Sequence, residues 1–202
     1  GFYLAMFLVL AALILRPVCF KFRSTVENPR WRSTWDWLLF VGGLVPSLVF
    51  GVAFGNLFEG VPFTFDSDVR FHSTISLFGL LNPFALLVGL VSVSMIALHG
   101  AVWLNLKSSA AVKQRAQTAA RFLSLIYVVL FVISGFWVSR LAAYHFVSTA
   151  DPSGASNPLL KTVALGGGWF ANFASAPALW IAPALAVLGA LVAPLLRAHP
   201  VA

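Results

Sequence analysis

The sequence predicts an all-α fold, a polytopic membrane helix bundle of about five transmembrane helices. Three observations carry that expectation. Hydrophobic residues fill 60% of the 202 positions and charged residues only 9%, a balance that water-soluble domains do not have. Apolar runs recur near 2-20, 35-58, 80-104, 122-146 and 179-196, each of the length an α-helix needs to cross a hydrocarbon core of about 30 Å. The basic residues fall between these runs rather than inside them.

The first run, from Phe2 to Phe20, is uncharged as far as Leu15 and is then interrupted by Arg16 and Pro17. Arg16 is the most costly residue in the chain if it sits in hydrocarbon. Two readings stand: the arginine bends along its own stem to the interface near Lys21, or it faces the protein interior and meets a carboxylate or a polar headgroup. A basic loop with Lys21, Arg23, Arg30 and Arg32 follows. The second run begins at Trp35-Asp36-Trp37 and holds Pro46 together with Gly42, Gly43, Gly51 and Gly55. Glycines about one turn apart let helices approach closely, and neighbouring helices tolerate the proline. A polar loop from Glu59 to Gly79 leads to Asn82-Pro83, a cap followed by a first helical residue. The third run ends near Leu104, and a second basic loop runs from Lys107 to Arg121. After the fourth run comes a longer segment with turn signals at Asp151-Pro152 and Asn157-Pro158. Leu159 to Phe173 is expected there as a short interfacial helix anchored by Trp169 and Phe170. The fifth run ends at Arg197 and His199.

The basic loops orient the bundle. The positive-inside rule places 21-33 and 107-121 in the cytoplasm, opposite Arg70, Arg140 and Lys161. The formal charge of +7 is thereby a topology signal against an anionic leaflet and not a nucleic-acid footprint. The lone Cys19 excludes an intrachain disulfide. The chain opens at Gly1 inside an apolar helix, with no charged leader or cleavage site before it. Residues 1-202 therefore read as a partial transmembrane domain, with N-terminal and C-terminal parts of a parent chain missing.

The chemistry available is limited. All six acids, Glu27, Asp36, Glu59, Asp66, Asp68 and Asp151, lie in loops or at the ends of runs. None is placed at the midplane, where proton relays and coupling-ion sites need one. Asp36 is either an acid favoured by a helix N-terminus or a partner for Arg16 or Arg32. None of the four histidines pairs at a spacing of three or four, so no metal motif stands out. Histidines on separate helices can still hold haem, so spacing does not exclude it. His99 is expected to hydrogen-bond between helices, Asn82 to cap one, and Trp35 to sit with the other tryptophans in an interfacial belt. Gly166-Gly167-Gly168 lacks the lysine and hydroxyl of a phosphate loop.

The segments RPVCFKFRSTVENPRWRSTWDW, VPSLVFGVAFGNLFEGVPF, LLNPFALLVGLVSVSMIALHGA, ASNPLLK, WFANF and PALWIAPAL resemble, in order along nearly the whole chain, subunit II of cytochrome bd-type quinol oxidases. GVAFGNL-x-x-GVPF and LLNPFALL-x-G are the specific signatures. The resemblance implies a respiratory terminal oxidase in a bacterial inner membrane, coupling quinol oxidation to reduction of dioxygen to water. It implies haem b and haem d in the complex, carried by subunit I, with this chain supporting assembly and helping to line a proton route without redox chemistry of its own. Some family members hold a quinone in this subunit, and a small accessory subunit is a further partner. The family's upstream acidic motifs lie close to the arginine that matches Arg16, which favours the interior-facing reading. Cys19 and Lys21 depart from the family pattern. The rival readings are a secondary-transporter fragment, which calls for repeated broken helices and a midplane polar site, and a purely structural scaffold.

Overall fold

The computed structural model describes residues 1–68, 70–73, 75–147, 153–154 and 162–195. Five helices within that range are long and apolar enough to cross a membrane, and the chain is an all-α multi-pass bundle.

Helix α1 spans Phe2–Phe22 and α2 spans Pro29–Glu59. Asn28 starts α2: its side chain accepts a hydrogen bond from the Arg30 N–H at 2.9 Å, and Pro29 takes the first helical position. Here the expected start at residue 35 is corrected. Asn28-Pro29 is the same cap-and-proline pair as Asn82-Pro83, placed in a basic stretch that carries no apolar signal. With 31 residues, α2 is about 46 Å long at 1.5 Å per residue. It overshoots the hydrocarbon core, so its first turns, with Arg30 and Arg32, stand in the polar layer.

Gly60, at φ 83°, turns the chain out of α2. Strands β1 (Thr64–Phe65) and β2 (Phe71–His72) form a small antiparallel hairpin. A 3₁₀ turn at Phe78–Leu80 leads into α3, Pro83–Lys107. Asn82 caps α3 as expected, its Oδ1 accepting from the Ala85 N–H at 2.6 Å.

Helix α4 is Ala110–Val138. It takes in Lys113, Arg115 and Arg121, so most of the expected 107–121 loop is helix, and Ser108-Ser109 alone turn the chain. Hydropathy sees only the apolar slab, and the polar turns of a helix beyond it leave no such mark. At its far end α4 stops before the expected residue 146. Tyr144–Phe146 forms β3, paired antiparallel with β4, Val163–Leu165.

The expected helix from Leu159 to Phe173 is also corrected. Residues 155–161, and with them Asn157-Pro158, lie outside the described residues, as do Asp151-Pro152, Arg197 and His199. Val163–Leu165 is strand, and Gly167 and Gly168 follow at φ 80° and 67°, a conformation that ends any helix. Among the described residues there, only those of α5, Ala171–Ser175, are helical. The fifth span is composite: a 3₁₀ turn at Pro177–Trp180, α6 at Ile181–Val192, and a 3₁₀ turn at Ala193–Leu195.

Helices consecutive in sequence pack as neighbours, α1 on α2, α2 on α3 and α3 on α4, and α6 returns onto α4. The α2–α3 contact is set by small residues on both sides. A Cβ added at Gly51 would stand 2.7 Å from the Gly89 Cα, and one at Gly55 would stand 2.6 Å from the Ala85 Cα. Gly51 and Gly55 on α2 thus face Ala85 and Gly89 on α3. Such pairs bring backbones together where lipid removes the hydrophobic drive between helices. Ser124 ties α4 to α6 by donating to the Ala190 carbonyl at 2.7 Å. Outward, Phe7, Phe54, Phe136 and Leu185 remain exposed, the pattern of a surface solvated by lipid.

Candidate functional site

Arg16 lies two turns before the end of α1, and its stem is laid across α2. A Cβ at Gly42 would come within 2.8 Å of the Arg16 Cγ and 3.0 Å of the Ala12 carbonyl oxygen. Only glycine leaves that channel open, so the stem runs along the α1–α2 seam. The side chain is exposed, and it makes no ion pair or hydrogen bond with another described residue. The stem follows the protein surface, and the charged end meets no partner among the described residues.

Asp36 does not supply that group. Its carboxylate takes two hydrogen bonds from Arg23, the second from Nη2 to Oδ2 at 3.1 Å. The expected pairing with Arg16 or Arg32 is corrected to Arg23. The alternative dipole role is corrected too: with α2 starting at Pro29, Asp36 lies beyond the first turn, which holds no acid. The Asp36 carboxylate, by hydrogen bond first and charge second, holds the Arg23 guanidinium above its ordinary value. Trp35 stacks on Phe22 with ring centroids 5.5 Å apart, and the Trp31 indole N–H donates to the Phe22 carbonyl at 2.8 Å. Together these contacts clasp the basic end of the α1–α2 hairpin.

A polar cluster occupies the opposite end of α2. Asn56, 2% exposed, donates from Nδ2 to the Val52 and Leu80 carbonyls, each at 2.8 Å. Asn82 Nδ2 donates to Asn56 Oδ1 at 3.3 Å, and Glu59 lies beside Asn82. Asn82 is thus the cap, and its contact with Asn56 is half-buried. Asn56 was missed, although an amide inside GVAFGNLF is a visible polar interruption. In the neighbouring loop, Asp66 Oδ1 accepts from the Asp68 and Arg70 N–H groups and its Oδ2 meets His72 Nε2 at 3.0 Å. The Arg70 N–H first, and His72 second, hold the Asp66 carboxyl below the usual carboxylate range.

His99 is exposed on α3 and makes no hydrogen bond with another described residue, so the expected interhelix bond is corrected. His145 sits on β3 with its Nδ1 3.2 Å from the Gly166 carbonyl oxygen. That strand follows α4 at the Pro83 end of α3, whereas His99 lies sixteen residues along α3, about 24 Å away by helical rise. The two do not fit a shared haem. Among the described residues no group of three or more metal-binding side chains gathers.

The fold defines a multi-pass helix-bundle membrane protein that presents a free guanidinium at an interhelix seam. The family model for cytochrome bd terminal oxidase subunit II matches residues 1–201, and the chain belongs to that family. It is 51% identical over 193 residues to the Haemophilus influenzae protein described as "Probable cytochrome oxidase subunit 2", covering 95% of this chain and 51% of that one. It is 48% identical over 190 residues to "Cytochrome bd-I ubiquinol oxidase subunit 2" of Escherichia coli K12, covering 93% and 50%. To "Cytochrome bd ubiquinol oxidase subunit 2" of Bacillus subtilis it is 32% identical over 145 residues, covering 72% and 40%. The chain spans about half the length of the first two relatives.

Proposed function

We propose that this chain works as part of the second subunit of a quinol-oxidising terminal oxidase. In that complex electrons pass from a quinol to dioxygen, which is reduced to water. The observation that carries the reading is the family match over residues 1–201. It favours an oxidase subunit over a transporter or a bare scaffold. Haem b and haem d belong to subunit I in this account, where they accept electrons and activate dioxygen. Among the described residues, His99 and His145 stand too far apart to share one haem. The ends bearing 21–33 and 107–121 face the cytoplasm of a bacterial inner membrane.

Arg16 is the residue through which this chain acts on the reaction. Its charge, held at the α1–α2 seam by the absence of a side chain at Gly42, stabilises an ionised carboxylate or a quinone oxygen that approaches the seam. An acid beside a fixed cation stays ionised to lower pH, so the guanidinium would hold its partner as a carboxylate. Trp35 and Asp36 position this region by clasping the hairpin, and Asn82 positions the far end of α2. The test is Arg16→Leu and Arg16→Lys in the full-length protein. With assembly intact, Arg16→Leu should lower quinol-dependent oxygen uptake about tenfold or more, the factor that ~1.4 kcal/mol of lost stabilisation gives, and Arg16→Lys should keep part of the rate. Unchanged assembly and uptake in Arg16→Leu overturn the role.

A further inference from the structure

An open, shallow groove of about 600 Å³ lies along one face of α2 at the basic end of the bundle, with Pro29, Arg32, Ser33, Asp36, Trp37 and Phe40 as its described lining. We propose that it is a binding site for one anionic phospholipid, with the phosphate on Arg32 and Ser33 and an acyl chain along Trp37 and Phe40.

The charges support this occupant. Asp36 is the one acid among the described residues of the groove wall, and Arg23 already meets it with two hydrogen bonds. Arg32, by contrast, makes no ion pair or side-chain hydrogen bond with another described residue. Its cation therefore remains available, with Lys21 and Arg30 adding to the same field and Glu27 opposing it. The Ser33 hydroxyl lies on the same wall as a second donor.

The depth supports it equally. From Arg32 to Phe40 the helix rises about 12 Å. The polar layer on each side of a bilayer is about 5–8 Å thick. One stripe of α2 thus begins among headgroups and ends among acyl chains. Trp37 and Phe40 are 65% and 56% exposed and meet edge-to-face at 5.6 Å, so the deeper half of the groove is an aromatic wall open to a chain. A free phosphate would use only the upper half. A lipid uses both.

Native mass spectrometry of the assembled complex, stripped of lipid and titrated with phosphatidylglycerol or phosphatidylcholine, tests the site. The wild type should retain phosphatidylglycerol in preference. Arg32→Gln should weaken that retention about fivefold, the factor given by about 1 kcal/mol per basic residue at an anionic leaflet. Arg30→Gln, which removes the same charge outside the groove, should weaken it clearly less. Trp37→Ala should weaken both lipids, and it carries the test if Arg32→Gln does not assemble. Equal losses in Arg32→Gln and Arg30→Gln would reduce the effect to diffuse attraction and overturn the site. Displacement of the lipid by equimolar inorganic phosphate, or release of a protein subunit from Arg32→Gln with lipid retention unchanged, would also overturn it.

Discussion

Substituting Gly51 by valine should separate α2 from α3. A Cβ at this position meets the Ser92 Cβ at 2.6 Å and the Gly89 Cα and Val88 carbonyl oxygen at 2.7 Å. Two of these three atoms belong to backbone and cannot rotate away. Ordinary carbon contacts lie at about 3.5–4.0 Å, so the helices must part by about 1 Å. A gap of that size forfeits a quarter to a half of each dispersion well along the seam. Overpacking of this kind costs about 1–3 kcal/mol, and contact with backbone places Gly51→Val at the upper end, near 3 kcal/mol. Gly43→Val is the control, because a Cβ there meets nothing within 4 Å. Denaturant titration of the purified full-length protein in detergent micelles, followed by tryptophan fluorescence, reads both. Equal midpoints for the two variants would refute the close-approach argument.

Three further outcomes follow from the polar contacts. Asn56→Leu leaves the buried Leu80 carbonyl without its donor and should cost about 1–3 kcal/mol, measured by the same titration. Ser124→Ala removes the α4–α6 bond to Ala190; interhelix bonds in membranes average about 0.6 kcal/mol, so a small midpoint shift is expected and one as large as that of Gly51→Val would contradict the assignment. The folded-state Asp66 value lies below its unfolded one, so its contribution to the β1–β2 hairpin is complete above the usual carboxylate value. That contribution is lost as the pH falls through the lower folded value. Protection of the amides in residues 64–72, taken relative to their intrinsic exchange rates, should fall in that acid window, and Asp66→Asn should remove that change in protection.

The parts of the fold legible in the sequence were those that lipid imposes. Apolar runs marked the five spans, Asn82-Pro83 marked a helix start, and the glycines of α2 marked a close seam. The parts that were not legible depend on polar helix turns or on distant partners. Asn28-Pro29 carried a readable cap, yet the charged residues after it masked the helix. The extension of α4 to Ala110 lies outside the slab and has no hydropathy signature. The pairing of Tyr144–Phe146 with Val163–Leu165 is long-range and short, and nothing local specifies it. At the site, Arg16 was visible as a charge in an apolar run. Its seat on Gly42, and the capture of Asp36 by Arg23, needed the register of α1 against α2.

The most direct test of the oxidase reading is a reduced-minus-oxidised optical spectrum of what co-purifies with the tagged full-length protein from native membranes. The account predicts haem b and haem d bands together with quinol-dependent oxygen uptake. A colourless preparation with no haem-bearing partner would contradict it.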